Sequence, residues 1–150
     1  MQALNAQRKA FLDMLAWSEG TDKPGQPTKN HGYDVIVGGS LFTSYADHPR
    51  KLITLNPRLK STAAGRYQLL SRYWDAYRSQ LGLRDFSPAS QDAVALQQIK
   101  ERRALQLIDE GYIRQAIDRC SNIWASLPGA GYRQHEHKVE NLLKKFKEAG

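Results

Sequence analysis

Cysteine occurs once in the 150 residues, at Cys120, so no internal disulfide can form and the chain reads as made in a reducing compartment. No apolar run approaches the roughly 20 residues needed to span a bilayer. The start, MQALNAQRKAF, lacks the basic segment, apolar stretch and small-residue cleavage site of a secretory signal. Acidic residues are also scarce: 15 Asp and Glu face 22 Lys and Arg, for a formal charge of +7. That excess attracts polyanions such as nucleic acid, anionic membrane surfaces and acidic polysaccharide, without choosing among them. The cations are scattered, with small clusters at Arg50-Lys51, Arg102-Arg103 and Lys144-Lys145, which argues against a nucleic-acid-binding face. No HExxH pattern occurs, and His31, His48, His135 and His137 read as solvated rather than as ligands. No metal or cofactor is expected. SLPGAGYR lacks the lysine and hydroxyl spacing of a phosphate-binding loop, and Cys120 falls on an apolar helix face, where it reads as core.

With 41% hydrophobic residues the chain can bury one substantial core, a single domain split by a cleft. Asn5 can cap a first helix striped by Phe11, Leu12 and Leu15, and Gly20 suits the left-handed residue that closes it. Residues 21–32 read as a surface loop. Tyr33-Asp34-Val35-Ile36-Val37 and Ser40-Leu41-Phe42-Thr43, joined by Gly38-Gly39, predict a hairpin. Lys51-Leu52-Ile53-Thr54-Leu55 predicts a third strand stopped by Asn56-Pro57. Everything after Ser61 reads as helix: Leu69, Leu70, Tyr73, Trp74 and Tyr77 form one stripe, and Ser87-Pro88 starts the next helix, with Ala93, Leu96, Ile99 and Ala104 buried. Residues 112–121 and 136–149 supply two more. The prediction is an α+β fold: a small antiparallel sheet lobe near residues 30–60, a helical lobe from 1–20 and 61–150, and a cleft between them as the ligand site.

One residue stands out chemically. In LDMLAWSEGTD, Glu19 sits where the helix ends, beside the negative end of its dipole. An anion is disfavoured there, and partial burial would raise its pKa further. Such a carboxyl is suited to protonate the leaving oxygen of a glycosidic bond, with Trp17 nearby to exclude water. A second carboxylate is not evident: Asp22 and Asp34 are nearest in sequence and read as turn residues, with Asp47 farther off. One route to cleavage needs no second carboxylate, because the 6-hydroxyl of muramic acid can attack its own anomeric carbon. In STAAGRYQLL, the small residues and Gly65 would let a backbone approach a ligand, and Gln68 could offer a donor and an acceptor.

NAQRKAFLDMLAWSEGT, NHGYDVIVGG, DHPRKL, STAAGRYQLLSR, SQDAVALQQIKER and IRQAIDRCSNIWASLPGAGY, taken together, resemble the lambda-type bacteriophage endolysins, from about residue 5 to the end of the chain. The resemblance implies a lysozyme-like fold and a lytic transglycosylase cleaving the β-1,4 bond between N-acetylmuramic acid and N-acetylglucosamine, leaving a 1,6-anhydromuramic end. It assigns the acid to Glu19 and implies a cleft roofed near residues 50–60 and floored near residues 128–132. Arg133 and His135 stand where smaller or aromatic residues are expected. Gln68 and Tyr132 are the expected sugar-holding residues, with Asp34, Lys51 and Trp124 beside them. The implied partner is the peptidoglycan glycan strand, met by a monomer that waits in the host cytoplasm until a holin opens the membrane to the periplasm. The rival expectations are a hydrolytic muramidase using Asp34 or Asp22 and a non-catalytic wall-binding module.

Overall fold

A computed structural model describes residues 2–124, 126–127 and 137–150. In chain order its elements are helix α1 (Ala6–Glu19), strands β1 (Ile53–Asn56) and β2 (Leu59–Ser61), and helices α2 (Ser71–Leu81), α3 (Pro88–Glu101), α4 (Leu105–Asp109), α5 (Ile113–Cys120) and α6 (Val139–Ala149). Among the described residues no helix is long and apolar enough to cross a membrane. The chain divides into two compact units, Gly20–Val94 and a second made of Met1–Glu19 with Ala95–Gly150.

The second unit is helical. The Asn5 side chain accepts the Arg8 N–H at 2.9 Å, capping α1 as the sequence predicts. Phe11, Met14 and Leu15 of α1 are fully buried, and α1 packs on α6 and α4. Arg8 forks onto Asp109 with bonds of 2.9 and 2.7 Å, fixing the start of α1 to the end of α4. Ile113, Ala116, Ile117 and Cys120 give α5 one buried face, at the predicted spacing. Ala104 is buried too, but it caps α4 rather than extending α3, because the chain turns through a left-handed Arg103.

The unit spanning Gly20–Val94 holds more than the sheet region predicted near 30–60, since α2 and the start of α3 belong to it. Its core joins Ala64, Leu69, Trp74, Phe86 and Val94. The predicted hairpin shrinks to one bridge, Val35 with Leu41, because Ile36 pairs onward with Ala64 instead of extending the ladder. Asn56-Pro57 is a hairpin turn rather than a stop: Asn56 Oδ1 accepts the Arg58 N–H at 2.9 Å, and β1 pairs with β2. Helix α2 begins at Ser71, two residues later than its apolar stripe suggests, because Leu69 exchanges both backbone hydrogen bonds with Ala64. Ser87 caps α3 through a 3.3 Å bond from the Ser90 N–H, with Pro88 in the first position, as predicted.

Candidate active site

The corner at the end of α1 is built from residues of the helical unit. Glu19 is the last residue of α1, and Gly20 turns the chain through the left-handed region at φ +82°. No basic residue occupies the last turn, so no cation of the helix itself offsets its negative end. Glu19 is half-buried, and the Ser126 hydroxyl donates a hydrogen bond to Oε2. The Ser126 backbone N–H donates to the same carboxyl. Desolvation disfavours the charged form and outweighs these two donors, leaving the Glu19 pKa at about 7. At neutral pH the carboxyl is therefore divided between its acid and base forms.

Ser126 is held from both sides. The His137 backbone N–H donates to its carbonyl at 2.9 Å, and the preceding turn is closed by Leu127 N–H to the Trp124 carbonyl at 3.1 Å. The His137 ring places Nε2 3.1 Å from the Ser18 carbonyl and lies 4.6 Å from the Trp17 ring, centroid to centroid. Lys145 of α6 sets its Nζ 5.4 Å over that same Trp17 ring. Trp17 thus packs against His137 and Lys145 beside the acid. Neither Ser126 nor His137 stands out in the sequence as an active-site residue. The bond from Ser126 to Glu19 joins positions 107 apart, and no local spacing reports that.

The other candidates fare differently. Gln68, Asp34 and Lys51 belong to the Gly20–Val94 unit. Gln68 adopts a left-handed φ of +54°, and its amide N–H group donates to the Gly65 carbonyl at 2.9 Å and the Val35 carbonyl at 3.3 Å. Its donor half is thus committed to the loop, and only its carbonyl oxygen suits a ligand. Asp34 is 4% exposed; it accepts the Thr28 hydroxyl at 2.5 Å and the Lys29 N–H at 3.0 Å. It organises the loop before it rather than reaching a sugar or a water. Lys51 is exposed. Trp124 is 3% exposed, so its ring belongs to the core and offers no face to a sugar. Tyr132, with Arg133 and His135, lies outside the described residues.

The glycine of GRYQ has a structural reason within its own unit. A side chain at Gly65 would meet Gln91 Oε1 at 2.4 Å, so the glycine makes room for an internal contact. That oxygen accepts the Arg66 N–H at 2.9 Å. The Arg66 guanidinium, nearly buried, reaches Asp22 at 3.0 Å, the Tyr67 hydroxyl at 3.1 Å and the His31 carbonyl at 2.8 Å. The hydroxyls of Tyr67 and Tyr33 converge on Asp92 at 2.6 and 2.9 Å. Sequence reading missed this network, because its members lie far apart along the chain. It gives Asp22 a structural partner. Asp47 likewise pairs with Arg50 at 2.8 Å and accepts the Trp74 indole N–H at 3.0 Å, and its pKa falls to about 2, chiefly through the Arg50 bond. His48 is not solvated: it is 2% exposed, with Nδ1 accepting the Arg50 N–H and Nε2 donating to the Leu69 carbonyl.

Comparison with known proteins fits this geometry. The endolysin family model matches residues 9–150. The endolysin of Escherichia phage lambda is 79% identical over 150 residues, spanning 100% of this chain and 95% of that protein. The endolysin of Escherichia phage P2 is 56% identical, over 94% and 91% of the two chains. The solved structure of bacteriophage lambda lysozyme complexed with a chitohexasaccharide superposes with a TM-score of 0.99, covering 100% of this chain and 97% of that one. A second lambda lysozyme structure, 77% identical, gives 0.95 over the same shares. The fold is accordingly the α+β lysozyme-like one, and the chain belongs to the endolysin family.

Proposed function

We propose that this endolysin is a lytic transglycosylase, cleaving the β-1,4 bond between N-acetylmuramic acid and N-acetylglucosamine and closing a 1,6-anhydro ring on the muramic sugar. Family membership carries the coarser statement, that the protein degrades host peptidoglycan for lysis. The chitohexasaccharide held by the lambda lysozyme supports a glycan strand as the ligand. The observation that carries the finer reading is a carboxyl whose pKa lies at about 7, so that Glu19 can both give and take a proton at neutral pH.

The steps balance on that one group. Neutral Glu19 gives its proton to the glycosidic oxygen as the bond from the anomeric carbon breaks and an oxocarbenium-like centre develops. The Ser126 hydroxyl and N–H meet the charge left on the carboxylate. The muramic 6-hydroxyl oxygen then bonds to the anomeric carbon, and its proton passes to Glu19. No water is consumed. The carboxylates that a hydrolytic scheme would recruit, Asp22, Asp34 and Asp47, each have structural partners within their own unit. We further propose that the enzyme waits in the host cytoplasm for a holin to open the membrane, and that its charge of +7 favours an acidic wall.

Mass analysis of muropeptides released from purified wall tests the chemistry. Products lighter by one water, without new reducing ends, are expected; ordinary reducing termini would make the enzyme a hydrolase. Glu19→Gln should lower the release rate by roughly 10²–10⁴-fold, the usual worth of a positioned acid. An unchanged rate would remove Glu19 from the reaction.

A further inference from the structure

The corner beneath Glu19 holds two buried hydroxyls in series. Ser18 Oγ lies 3.0 Å from the Leu15 carbonyl oxygen and 3.1 Å from Ser126 Oγ, which in turn reaches Glu19 Oε2. The two serines are 5% and 8% exposed. Ser18 lies within α1, where alanine would be the better helix former and a buried hydroxyl must be desolvated. Its presence therefore calls for a partner that uses it.

A hydroxyl has one proton to donate and two lone pairs to accept with, so direction along such a chain is set at its ends. The Leu15 carbonyl can only accept. The Glu19 carboxyl can donate when protonated and only accepts when ionised. In the neutral state the carboxyl O–H donates to Ser126, Ser126 to Ser18, and Ser18 to the Leu15 carbonyl. In the ionised state Ser126 turns its proton onto the carboxylate, and Ser18 turns to donate to Ser126. The neutral arrangement uses all three oxygen contacts and the ionised one uses the two nearest the carboxylate, and both leave every hydroxyl proton with an acceptor.

We propose that Ser18 and Ser126 form a reversible hydroxyl relay, whose two rotors turn with the charge of Glu19 so that the acid and its conjugate base are served by the same neighbours. No proton travels along the relay; only the direction of donation reverses. Ser126 touches the carboxyl, whereas Ser18 acts through Ser126 as a positioning residue. The proposal rests on the reading of Glu19 as acid and then base. Among the described residues, the other titratable groups at this corner are His137, with Nε2 at the Ser18 carbonyl, and Lys145, over Trp17 and paired with Glu148 at 3.3 Å. Both residues are kept in all the variants below.

The test is a carbon-13 NMR titration of the Glu19 carboxyl in the full chain, for the parent, Ser18→Ala, Ser126→Ala and the double variant. Ser126→Ala should raise the midpoint by about one unit, since a donor to the ionised form is lost. Ser18→Ala should raise it by roughly 0.3 unit although it touches no carboxylate oxygen. The double variant should titrate like Ser126→Ala alone, because Ser18 reaches Glu19 only through that hydroxyl. The relay is overturned by a Ser18→Ala midpoint equal to the parent's, or by shifts that simply add. Should Ser126→Ala fail to fold, Ser126→Gly deletes the same hydroxyl and completes the cycle. The titration does not depend on the product formed, so reducing ends in a wall digest would overturn the transglycosylase reading and leave this result standing.

Discussion

Replacing Glu19 by Gln should stabilise the protein, and only on the alkaline side. The Glu19 pKa is raised from an ordinary 4.5 to about 7, chiefly by burial. Each unit is worth about 1.4 kcal/mol, so ionising this group costs the native state about 3 kcal/mol relative to the unfolded chain. The sign follows from proton counting. Below about pH 4 both states hold the proton and nothing is lost. As pH rises from there, the unfolded chain releases its proton first, the native state binds more, and stability falls until the native carboxyl has also ionised. Gln is neutral throughout and escapes that loss. Paired thermal denaturation of the two proteins from about pH 4 to about pH 8 cancels the titration of every other group. The two melting temperatures should coincide at the acidic end, and the variant should lead by roughly 6–12 °C at the alkaline end for a chain of this size. A gap that stays constant across the range, or one favouring the parent at high pH, would show that Glu19 is not held neutral by its surroundings.

Gly65→Ala should cost roughly 2 kcal/mol or more, because φ there is +85° and the added carbon would meet Gln91 Oε1 at 2.4 Å. A lower urea midpoint with an unchanged slope would confirm that, and a midpoint equal to the parent's would refute it. Cys120 is fully buried and its thiol pKa is pushed up to about 12, so an aromatic disulfide reagent at about pH 8 should titrate no thiol in the native protein and one after denaturation.

What could be read from the sequence divides along a physical line. Asn5 at the start of α1, Gly20 at its end and Ser87-Pro88 at the start of α3 stand where expected, because a cap bonds within its own turn. The buried face of α5 follows for the same reason: helical spacing is local. Glu19 could be singled out because an anion at a helix end conflicts with the dipole. Its regulator could not, since Ser126 comes from the far side of α5 in the chain. Asp34 and Trp124 show the converse error. Both are expected beside the sugar, yet Thr28 and Lys29 claim the carboxylate and the core claims the indole. The sheet is smaller than alternation predicts because Ile36 and Leu69 both turn to Ala64, a pairing at separations of 28 and 5 residues that alternation within one strand cannot report.

The opposition of forces at Glu19 explains why burial alone would make a poor catalyst here. Desolvation by itself would lift the carboxyl pKa further and leave an acid slow to release its proton, while hydrogen-bond donors by themselves would pull it down to an anion with no proton to give. The structure sets both against each other on one group, with burial the larger and Ser126 the smaller. A single-residue acid and base needs its two forms close in free energy, because each step of the reaction ends with the form that starts the other. A two-carboxylate enzyme has no such requirement, since each residue can be tuned in one direction. A balance near pH 7 is what the proposed one-carboxyl reaction would require, and the donor that tempers burial arrives from a turn 107 residues away.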